Sequence, residues 1–137
     1  MTRRTIQLNK IVAWLKSVSA INTIAPWGIF FWRPWRVKSE NYITVRLLSD
    51  NWSDIRIARL EFTFIAGDQA TTPKSLFDMF EIVNNNIVWD IETCTVKFDF
   101  DDFKVTFVDM WSTFWPEINN ENRLFIQSDY LFKYWRT

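Results

Sequence analysis

The chain has 137 residues, 48% hydrophobic and 23% charged, with only two glycines and four prolines; this balance excludes disorder and low complexity and suits one buried core. Sixteen basic and sixteen acidic side chains cancel, there is no histidine, and Cys94 is the single cysteine. An internal disulfide is thereby excluded, and the commonest zinc ligand and general base is missing. A single domain over residues 1–137, in reducing surroundings, is the expectation.

The charges are unevenly placed. Residues 1–39 hold seven basic side chains (Arg3, Arg4, Lys10, Lys16, Arg33, Arg36 and Lys38) and no acid. Such a split suits a polyanion, a membrane surface, or an oligomer in which the basic side of one copy meets the acidic side of the next. The longest apolar run, Ala25 to Trp32, contains Pro26 and Gly28 and is well short of the roughly 20 residues of a membrane-spanning helix. Lys10 and Lys16 also interrupt any signal-peptide core, so a soluble protein without a membrane partner is expected.

From Ile6 to Val18, Leu8, Ile11, Val12, Leu15 and Val18 recur at helical spacing, with Lys10 and Lys16 on the wet face. This amphipathic stretch reads as a first helix packed on a sheet. Pro26 to Trp35 (PWGIFFWRPW) is the most aromatic segment; Ile29 to Arg33 reads as a short strand that its flanking prolines confine to an edge. Trp27, Trp32 and Trp35, beside Arg33 and Arg36, are candidates to stack on bases or sugars, or to anchor a protein interface. Filling the core is the competing reading.

Tyr42 to Leu48 is β-branched and strand-like. The polar connection Ser49 to Arg56 carries Trp52, which is read either as a contact residue or as an isolated surface aromatic. From Ala58 to Phe64, Ala58, Leu60, Phe62 and Phe64 alternate with Arg59, Glu61 and Thr63, the pattern of a half-buried strand. Thr72-Pro73 supplies helix-start chemistry, and Leu76, Phe80, Val83 and Ile87, joined by Phe77, form one helical stripe. Asn84-Asn85-Asn86 is expected to weaken the last turn.

Beyond that helix, Cys94 to Phe100 and Phe103 to Met110 alternate around Asp101-Asp102, predicting a second hairpin. Trp111 to Asn122 reads as a loop, and Leu124 to Trp135 as a long strand with Leu124, Ile126, Ser128, Tyr130, Phe132 and Tyr134 on one face. Asp99, Asp101 and Asp102 lack the full spacing of a calcium loop and read as a solvated turn. Asp102-Phe103-Lys104 has the Asp-x-Lys form of metal-dependent nucleases, but three residues do not make that site. Without histidine nothing activates Ser, Thr or Cys94, and with two glycines no backbone loop can cradle phosphate. Neither an enzyme nor a bound cofactor or metal is expected.

The fold expected is α+β: a twisted, mainly antiparallel sheet with two helices packed on one face, a closed barrel being the alternative. The order of an N-terminal amphipathic helix, a YITV strand, an LEFTF strand, the SLFDMFEIV helix and a C-terminal YLFKYW strand resembles the tail terminator (tail completion) proteins of long-tailed bacteriophages. The nine tryptophans and the Trp111 to Asn122 insertion depart from that pattern. The resemblance implies a virion structural protein, assembled in the host cytoplasm as a hexameric ring that closes the head-proximal end of the tail tube. Its implied partners are further copies of itself, the tail tube protein and the head–tail connector, with DNA passing through the lumen. Candidate interface residues are Trp27, Trp32, Arg33, Trp35, Arg36, Trp52, Asp99, Asp101, Asp102 and Trp111. The alternative is an aromatic-rich binding module for single-stranded nucleic acid or carbohydrate.

Overall fold

The computed structural model describes residues 3–26, 28–31, 40–50, 56–90, 95–96, 103–113 and 116–136. In chain order the elements are α1 (Arg3–Lys16), α2 (Ser19–Ile24), β1 (Ile29–Phe30), β2 (Tyr42–Asp50), β3 (Arg56–Ile65), α3 (Lys74–Ile87), β4 (Val88–Asp90), β5 (Thr95–Val96), β6 (Phe103–Thr113), β7 (Glu117–Ile118) and β8 (Leu124–Arg136). The main sheet runs β1-β2-β3-β8-β6, with β7 also paired to β8. It is open, and the architecture is α+β.

Strand β3 is the centre of that sheet, and its alternating residues face two ways, as expected of a half-buried strand. Its inward residues Leu60, Phe62 and Phe64 stand opposite Leu47, Val45 and Ile43 of β2 and opposite Tyr130, Ser128 and Ile126 of β8. Because each pair is in register, three strands present one face that is apolar except for buried Ser128. Onto it pack Ile11, Val12 and Leu15 of α1, Ile21 of α2, and Leu76, Met79, Val83 and Ile87 of α3, all buried in one cluster.

The sheet is mainly antiparallel, as expected, with β1 parallel to β2. Several details are corrected. The first helix stops at Lys16 because Val18 is extended (φ −84°, ψ 114°), and a separate α2 follows; the Asn22 side-chain amide donates to the Lys16 carbonyl at 2.8 Å and closes that end. Helix α3 begins one residue after Pro73, whose carbonyl accepts from the Phe77 amide at 3.2 Å. On α3 it is Met79, not Phe77, that faces the sheet: Met79 is fully buried, Phe77 is 44% exposed and Phe80 only partly covered. The asparagines do not end the helix early, for Asn84 accepts a hydrogen bond from the Tyr130 hydroxyl at 3.0 Å and Asn86 donates to the Ile82 carbonyl at 2.8 Å.

Among the described residues β5 pairs with β4 and β6 with β8; most of the first strand and the turn of the expected second hairpin lie outside the described residues. The predicted loop from Trp111 to Asn122 is partly strand: Trp111 to Thr113 extend β6, and β7 continues that edge along the start of β8. The turns around Trp52 and around Asp101-Asp102 lie outside the described residues.

Polar side chains lock one end of the sheet. Gly28, at φ +102°, turns the chain into β1, a conformation that favours glycine, and its carbonyl accepts from the Ile43 amide at 3.0 Å. Asn41 donates to the Ile24 carbonyl (3.0 Å) and accepts from the Gly67 amide (2.6 Å), which ties α2 to the exit of β3. Buried Arg123 donates from Nε to the Ala66 carbonyl (2.7 Å) and from a terminal nitrogen to the Glu40 carbonyl (2.6 Å), its guanidinium 5.0 Å above the Tyr42 ring.

Candidate interaction face of the sheet

Alternation that sends Leu60, Phe62 and Phe64 inward sends Arg59, Glu61 and Thr63 to the opposite face. By register this outer face reads in rows. Tyr42, Ile65, Phe125 and Glu117 form one, Thr44, Thr63 and Gln127 the next, and Arg46, Glu61 and Asp129 a third. Glu61 and Asp129 are direct cross-strand neighbours, a like-charge pairing that is unfavourable alone. Two arginines resolve it. Arg46 meets Glu61 at 3.0 Å and Arg59 meets Asp129 at 2.7 Å.

The two ion pairs differ in weight. Arg46 is 55% exposed, so its pair is worth only about 0–1 kcal/mol. The Asp129 side chain is 4% exposed, and removing its cation would strand a buried carboxylate. Gln127 reaches Glu61 and Thr63 at 3.4 Å each, extending the polar lattice.

Beside the lattice lies an open hollow of about 220 Å3, lined by Tyr42, Thr44, Thr63, Ile65, Asn119, Asn120, Glu121 and Phe125. The β7–β8 turn that forms one wall is held by the Asn119 side-chain oxygen, which accepts from the Glu121 and Arg123 amides at 2.9 and 3.0 Å. Asn122 at φ 62° completes the turn, in the left-handed region that asparagine tolerates.

Of the residues proposed from sequence as interface candidates, only Trp111 falls within the described backbone. Met110 pairs with Tyr130 and Ser112 with Asp129, so Trp111 is the extra residue of a β-bulge on β6. Trp27, Trp32, Arg33, Trp35, Arg36, Trp52, Asp99, Asp101 and Asp102 lie outside the described residues, as does the calcium-like turn. Among the described residues no three metal-ligating side chains cluster, and no helix is long and apolar enough to cross a membrane. The hollow escaped sequence reading because its walls come from four separate segments; the Asn119-Asn120 turn after β7 was its one local signal.

No protein-family model matches the sequence, and no curated protein does so. The fold does match a chain of the solved virion of a native gene transfer agent (GTA) particle, with a TM-score of 0.67 over 93% of this chain and 92% of that one. The two chains share a fold. At 7% identity the likeness is one of backbone architecture.

Proposed function

We propose that this protein is a structural component of a phage-like virion, acting as a tail terminator: a ring that closes the head-proximal end of the tail tube and joins it to the head connector. The observation that carries the reading is a fold match spanning nearly the whole of both chains, the other being a chain of a GTA virion. The sequence-level resemblance of element order to tail terminators points the same way. The uneven charge adds a physical reason, since a head-to-tail ring needs two different complementary patches. Function then resides in assembly, with no chemical step, and the single domain works as one copy of six.

The test is to incubate the purified protein with uncapped tail tubes of its own particle and image the product by electron microscopy. Rings seated at one end of each tube, with further tube growth arrested, are the expected result. Protein that leaves both tube ends bare and tube growth unchanged would refute the terminator role.

A further inference from the structure

We draw no further inference here: the strongest candidate, the open hollow on the outer face of the sheet beside the β7–β8 turn, has walls whose Asn119 and Thr63 side chains already bond within the chain, and nothing in the structure shows what covers it.

Discussion

Three phenylalanines at the junction of α3 and β3 give the sharpest test of how the helix sits on the sheet. Phe64 is fully buried, with its ring stacked near Phe62 at 6.3 Å and edge-on to Phe80 at 6.1 Å. Emptying such a site costs about 3–5 kcal/mol, and the two lost ring contacts put Phe64→Ala near the top of that range. That is a large share of the roughly 5–15 kcal/mol that holds a domain folded. Sequence alone would assign Phe80 the same cost, but its ring is only partly covered. Phe80→Ala should therefore cost about 2 kcal/mol, part of the transfer free energy of a buried ring. Phe77 is 44% exposed, and Phe77→Ala should change stability by no more than about 0.5 kcal/mol. Urea melts of the three variants measure the order directly, provided the m-value stays constant. Phe77 and Phe80 lie roughly 60° apart around the helix, so a Phe77→Ala loss equal to or above that of Phe80→Ala would mean that α3 is rotated from the orientation described.

Three further outcomes are expected. Arg123→Ala strands the Ala66 and Glu40 carbonyls at the locked end of the sheet and should cost about 3 kcal/mol, since bonds from charged donors contribute roughly 1.5–3 kcal/mol each; a urea-melt loss below about 1 kcal/mol would contradict the lock. Burial raises the Tyr130 phenol above its ordinary value, with a hydrogen bond to Ser128 opposing in part. The folded phenol resists ionisation while the unfolded one ionises near pH 10, so its contribution is intact below about pH 10 and declines as pH rises further. Tyr130→Phe should lose about 1 kcal/mol at pH 7 with the bond to Asn84 and show a shallower alkaline decline; identical slopes in melts from pH 7 to 11 would refute this. In the proposed ring, added salt should slow assembly more than it loosens finished rings, because exposed charges are screened beyond about 8–10 Å. Stopped-flow light scattering of the parent against a variant with Asp99, Asp101 and Asp102 as Asn checks this, and equal salt sensitivity would remove that acidic turn from the contact.

Local pattern determined much of the scaffold. Period-two alternation settled which faces of β3 and β8 turn inward, because a strand offers only two faces and the apolar set occupied one of them. Helical spacing located α1 and α3, and the prolines around Ile29 marked β1 as an edge. What the sequence could not set was the rotation of α3, whose apolar arc is wide enough to include Phe77, Phe80 and Met79; the inward surface of β3 and β8 chose Met79. The same holds for β6. Its alternation was legible, but its pairing with β8 joins segments far apart in the chain, which alternation along one strand does not report. The candidate interaction face depended wholly on tertiary structure. Arg59 meets Asp129 across 70 residues and Arg123 meets Ala66 across 57, and the walls of the hollow come together only once β2, β3 and β8 are in register. Alternation along one strand reports which side a residue faces; which residues stand beside it is decided by its neighbours in the sheet.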